Sequence, residues 1–147
     1  MGLEIKDTMK HTSLYQAHLD HHARMVPFGG WEMPLQYTGI RQEHLAVRKT
    51  GGLFDISHMG EFLIEGSDAC SFLNQCLTNN VIGLGIGSGH YTLMCNKQGG
   101  TVDDLYLYRL EEQSFIMVVN ASRIQADWEW LMHQKDQHIG SPNAVQC

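Results

Sequence analysis

The chain of 147 residues carries ten Lys and Arg against sixteen Asp and Glu, a formal net charge of −6, and is 43% hydrophobic and 18% charged. That length suits one domain with its own core, and the composition lies far from the polar, highly charged regime of disordered chains. The negative field disfavours nucleic acid and anionic membrane surfaces, and no apolar run approaches the roughly 18 residues of a membrane span. Cys70, Cys76, Cys95 and Cys147 form no C-x-x-C pair, which suits reduced thiols in a cytoplasmic protein.

Residues 1–12, beginning MGLEIKDTMK, have neither an apolar stretch behind their charges nor a presequence pattern, and are expected to be a flexible lead-in. The folded domain is expected over 13–134. SLYQAHLDHHAR predicts a short helix over about 13–24, MVPF a brief strand ended by a Gly-Gly turn, and Pro34 a further turn. A second helix is predicted from about Thr38 to Thr50, with Ile40, His44 and Val47 on one face and Gly51-Gly52 as its stop. LFDISHMGEFLIEG reads as one or two strands, after which Ser67 can cap a helix bearing Ala69, Phe72, Leu73, Cys76 and Leu77 as its apolar stripe. Beyond a glycine-rich connector, HYTLMCN, TVDDLYLYRL and SFIMVVN predict an antiparallel meander with short turns. A last helix over about Ala121 to Gln134 would bury Ile124, Trp128, Leu131 and Met132, and the tail 135–147 loses periodicity and is expected to be unstructured. The fold class is α+β, antiparallel strands flanked by helices.

Several tempting motifs carry little. The glycines of Gly83-Leu-Gly85-Ile-Gly87-Ser-Gly89 lead into a strand, whereas a dinucleotide fingerprint follows a strand and opens a helix. His18, His21 and His22 lack companion ligands at metal-site spacing and read as a solvated helix face, so no metal is expected. Ser57 and His58, as neighbours on a strand, would point to opposite faces and make no dyad. Trp31, Trp128 and Trp130 identify no ligand, since aromatic residues usually serve cores.

TVDDLYLYRL says more. Two consecutive acids at the start of an apolar strand put one carboxylate on each face, and Asp104 then shares a face with Tyr106 and Tyr108, the last roughly 13 Å away by strand rise. A carboxylate beside an aromatic row suits a cationic or N–H-bearing ligand; a turn in which Asp103 or Asp104 only satisfies backbone amides fits the same residues. Asn120, after FIMVV, is placed to cap the last helix.

TSLYQAHLDHHARMVPFGGWEMPLQY, RQEHLAVRKTGGLFDISHMGEF, YTLMCNKQGGTVDDLYLYRL and FIMVVNASRIQADWEW together closely resemble the N-terminal folate-binding part of the glycine cleavage system T protein family, the tetrahydrofolate-dependent aminomethyltransferases. The likeness runs in order over residues 12–134, and FGGWEMP, LFDISHMGEF and the GG-x-x-DD turn are each distinctive. It implies transfer of a methylene group from the aminomethylated lipoyl arm of a partner H protein to tetrahydrofolate, with release of ammonia. On that resemblance Asp104 is the catalytic carboxylate, favouring a developing iminium or accepting a proton, and Tyr91, Tyr108 and Asn120 line the folate site with it. A monomer is implied. Family members continue past this point through segments that supply a Glu and an Arg to the pterin, so the chain reads as a truncated form. A noncatalytic folate-binding or interaction module, or a piece of a related folate-dependent demethylase, would carry the same turn.

Overall fold

Glycines and short runs of alternating residues cut the first part of the chain into small elements. The structure, a computed structural model, describes residues 9–137 and 145. The chain divides into two compact units, Met1–His58 and Met59–Cys147.

In the first unit α1 (Tyr15–Asp20) precedes β1 (Arg24–Phe28), β2 (Trp31–Gln36) and α2 (Ile40–Lys49). The expected helix over 13–24 stops at Asp20 because His22 takes a left-handed conformation, φ 58°, and the Ala23 N–H turns back to the His18 carbonyl at 2.9 Å. β1 and β2 form an antiparallel hairpin across Gly29 and Gly30, whose φ values of 57° and 84° supply the tight turn such a hairpin needs. Pro34 is not a turn: it sits inside β2 opposite Met25, beside a bulge, in a two-stranded ribbon that spares an N–H. Lys10, in the expected lead-in, already bridges to Trp31; residues 1–8 of that lead-in lie outside the described residues.

α2 is shorter at both ends than expected. Its entry is gathered by Glu43, whose Oε1 accepts the N–H groups of Tyr37, Thr38 and Gly39 at 2.8, 2.7 and 2.9 Å. Those backbone bonds, first that from Gly39, hold the Glu43 carboxyl below its usual range. The expected apolar face is not buried: Ile40 is 60% and Val47 41% exposed. The segment Leu53–His58, expected as strand, is irregular instead, because Asp55 draws the chain inward. The buried Asp55 carboxylate accepts Thr12 Oγ1 at 2.6 Å, His18 Nε2 at 2.9 Å, the Ser57 N–H at 3.0 Å and the Ser57 hydroxyl.

The second unit is one four-stranded antiparallel sheet in the order β3-β6-β5-β4, from β3 (Gly60–Glu65), β4 (Gly89–Cys95), β5 (Thr101–Glu111) and β6 (Ser114–Val119). The expected meander is β4-β5-β6, and β3 adds to its β6 edge. Alternation sorts the two faces: Phe62 and Ile64, Met94, Leu105 and Leu107, Phe115, Met117 and Val119 are buried, while their neighbours in sequence face outward. α3 (Ala69–Cys76) and α4 (Ile124–Gln137) cover the buried face, α3 against β6 and α4 against β5 and α3. Ala69, Phe72, Leu73 and Cys76 enter the core as expected, as does Leu131, with Ile124, Trp128 and Met132 packed partly buried around them.

Two ends differ from expectation. Ser67 does not cap α3; Asp68 stands at that position and makes no side-chain cap. α4 begins at Ile124 rather than Ala121 and runs on to Gln137, three residues into the expected tail. Val145 of that tail is 3% exposed and belongs to the core cluster; 138–144, 146 and 147 lie outside the described residues. The class is α+β with antiparallel sheets, as the sequence implied.

Candidate functional site

The residues singled out from the sequence meet on the open face of the second unit's sheet. Along β5 the alternation that buries Asp103, Leu105 and Leu107 turns Asp104, Tyr106 and Tyr108 outward. Pairing then fixes what stands beside them. Tyr91 of β4 lies opposite Tyr106, Leu93 opposite Asp104 and Gly89 opposite Tyr108. On the other side Tyr106 faces Val118, and Tyr108 faces Ile116, of β6.

Asp104 is held from two directions. Its Oδ2 accepts the Tyr91 hydroxyl at 2.9 Å, and its Oδ1 accepts Nδ2 of Asn120 at 3.2 Å. That hydrogen bond is the first cause raising the Tyr91 phenol above its ordinary pKa, followed by partial burial and the negative charges of Asp104 and Asp103. Asn120 does not use its side chain as the expected helix cap. Its NH2 group also donates to the Asp104 carbonyl at 2.9 Å and to Asp103 Oδ1 at 3.0 Å, while its backbone N–H donates to Asp103 Oδ2 at 3.2 Å. The turn into α4 is closed by the Asn120 carbonyl, which accepts the Arg123 N–H at 2.8 Å.

Tyr108 is placed by a neighbour that the sequence reading passed over. Its ring lies so close above Gly89 that a Cβ there would stand 2.5 Å from Cδ1 and 2.7 Å from Cε1. Glycine therefore opens the slot the ring occupies. Tyr106 lies against Tyr108 with ring centroids 4.8 Å apart and planes inclined by 32°. Tyr106 was legible through the same alternation that gave Asp104 and Tyr108; Gly89 was not, since its role depends on the cross-strand register.

The arrangement is a carboxylate, oriented by a phenol and an amide, beside a row of three half-exposed tyrosines: Tyr91 at 55%, Tyr106 at 39% and Tyr108 at 41%. Aromatic faces accept planar rings, and the carboxylate offers acceptor capacity and negative charge to an N–H or a cation. Among the described residues no group of three His, Cys, Asp or Glu side chains is placed to hold a metal ion, and no helix is long and apolar enough to cross a membrane.

Of the three histidines read as solvated, His21 and His22 are exposed, as expected, and His18 is the exception. His18 is not on a solvated face: it is 6% exposed, with Nδ1 2.7 Å from the Tyr37 hydroxyl and Nε2 on Asp55. Ser57 turns to Asp55 and His58 packs its ring edge-on to Phe28 at 5.8 Å, so the two make separate contacts within a loop rather than on a strand.

Fold and site together describe an α+β domain that displays an acid and a tyrosine row on an open antiparallel sheet. Residues 14–146 match the family model described as GCVT N-terminal domain, and the chain belongs to that family. An aminomethyltransferase of Symbiobacterium thermophilum is 49% identical over 127 residues, 86% of this chain and 34% of that protein. Another from Desulforamulus reducens is 51% identical over 127 residues, 86% of this chain and 35% of that protein. The crystal structure of glycine cleavage system aminomethyltransferase T from Bartonella henselae superposes with a TM-score of 0.85 at 38% identity, covering 95% of this chain and 37% of that one. The chain thus spans about a third of the length of the curated relatives it matches.

Proposed function

We propose that the chain forms the folate-facing part of an aminomethyltransferase, which moves a methylene group from the aminomethylated lipoyl arm of an H protein to tetrahydrofolate and releases ammonia. The observation that carries this reading is Asp104, exposed on the open sheet face and oriented by Tyr91 and Asn120 beside Tyr106 and Tyr108. Folate is planar, with polar ring edges, and a tyrosine row ending in an acceptor suits such a molecule. Tyr108 and Tyr106 would contact the ring system, and Asn120 and Asp104 would meet its polar edge. Asp104 would favour positive charge developing at the transferred carbon or take up a proton released in the transfer. Its bonds to Tyr91 and Asn120 limit its rotation, so the charge is directed before any ligand arrives. The names of the relatives support the aminomethyltransferase reading, and the geometry of the open face supports the folate reading.

The test is a transfer assay with aminomethylated H protein and tetrahydrofolate, comparing the chain with its Asp104→Asn variant. Ammonia release that depends on both substrates and falls at least about a hundredfold in the variant supports the assignment. A rate independent of Asp104 refutes it. Tetrahydrofolate binding without ammonia release would confine this chain to folate binding.

A further inference from the structure

Beneath Asp104, on the helix-covered side of the same sheet, lie two buried carboxyl groups. Asp103 is 6% exposed, and its two oxygens accept the backbone N–H and the side-chain NH2 of Asn120. Asp127, in the first turn of α4, is 0% exposed, and among the described residues no donor reaches either of its oxygens. Among the described residues, the charged groups that act on it are the Asp103 carboxyl of β5 and the Arg123 guanidinium just ahead of α4. α3, which also packs on α4, carries no charged side chain. Two adjacent carboxylates in such surroundings cannot both be ionised, and an acceptor facing an acceptor makes no hydrogen bond. One proton solves both problems, because a neutral Asp127 becomes the missing donor and Asp103 its acceptor.

We propose that Asp127 is a positioning residue that keeps its proton, donates a hydrogen bond through it to Asp103, and through Asp103 and Asn120 aims the Asp104 carboxylate on the open face. Burial first, then the hydrogen bond and charge of Asp103, carry Asp127 up to about 8, with Arg123 opposing. The burial and unpartnered oxygens of Asp127, and the bonds running from Asp103 through Asn120 to Asp104, are independent of any function; only the service to catalysis rests on the folate reading above.

Infrared spectroscopy of the full chain reads the proton directly. At neutral pH the wild-type chain should show a protonated-carboxyl C=O band that moves on exchange into D2O, fades as pH rises through about 8, and is missing from Asp127→Asn. Side-chain amide NMR of Asn120 reads the positioning without any folate. Asp127→Asn keeps an N–H donor toward Asp103 and should leave the Asn120 NH2 resonances in place. Asp127→Ala removes the donor and should shift and broaden them, with circular dichroism reporting whether the fold persists. Absence of the carboxyl band in the wild-type chain overturns the proposal, and this reading does not depend on any variant folding. Loss of the Asn120 resonances in Asp127→Asn to the same extent as in Asp127→Ala overturns it as well, since that would mean ionised Asp127 acts through its charge. Failure of the wild-type chain to bind tetrahydrofolate would remove the folate reading and leave both of these outcomes decisive for Asp127.

Discussion

Replacing Gly89 with alanine places a methyl group where two tyrosine rings now lie. A Cβ at this position meets Tyr108 Cδ1 at 2.5 Å, Tyr108 Cε1 at 2.7 Å and Tyr106 Cε1 at 2.9 Å, all closer than carbon atoms tolerate. The β4 backbone is fixed by its pairing with β5, so the rings must give way. They can, because both lie on the open face and are about 40% exposed. Displacing each ring from its preferred rotamer costs about 0.5–1.5 kcal/mol, about 1–3 kcal/mol for the two, and the lower chain entropy of unfolded alanine returns about 0.4–1 kcal/mol. Stability should therefore fall by no more than about 2.6 kcal/mol. The tyrosine wall, in contrast, loses its shape. An aromatic contact is worth roughly 0.5–1.5 kcal/mol beyond the area it covers, so Kd for tetrahydrofolate should rise roughly twofold to thirteenfold. Urea denaturation and calorimetric titration of the same preparation measure the two quantities side by side. Unchanged affinity together with displaced tyrosine resonances would refute the idea that Tyr106 and Tyr108 form the ligand wall.

Other substitutions probe the fold that carries this face. Asp55→Ala strands the buried Thr12 and His18 donors and should destabilise the first unit by about 3–5 kcal/mol, read as loss of its hydrogen-exchange protection. In the intact chain burial raises the Asp55 pKa, but hydrogen bonds from Ser57, Thr12 and His18 outweigh it and hold the group well below the usual carboxylate range. A depressed folded pKa contributes stability above the unfolded value near pH 4 and loses it as pH falls below that, so acid denaturation should begin there and be shallower in Asp55→Asn. Leu131→Ala, at a fully buried core position, should cost about 2–5 kcal/mol in urea denaturation, whereas Leu53→Ala, at a fully exposed one, should stay within about 0.5 kcal/mol.

The meander and the outward set Asp104, Tyr106 and Tyr108 were legible because a two-residue period needs no partner to be read. Helices α3 and α4 were legible through their apolar stripes, with ends off by a few residues where an expected cap, Ser67, is not used. What escaped depended on contacts far along the chain. Pro34 reads as a turn until its strand is seen to be half of a two-stranded ribbon. Leu53–His58 reads as strand until Asp55 is seen to bond Thr12, 43 residues earlier. Asn120 has the right chemistry for a helix cap, and only the nearness of both β5 acids redirects its amide. Asp127 gave no signal at all, since a charged residue in the first turn of a helix is ordinarily a favourable surface feature.

Calorimetric titration of the 147-residue chain with tetrahydrofolate, run in parallel on wild type and Asp104→Asn, addresses the open face most directly. Saturable binding by wild type, at least about tenfold weaker in a variant that melts at the same temperature, is the expected result. Equal affinities for the two proteins, or no binding by a folded wild-type chain, would contradict it.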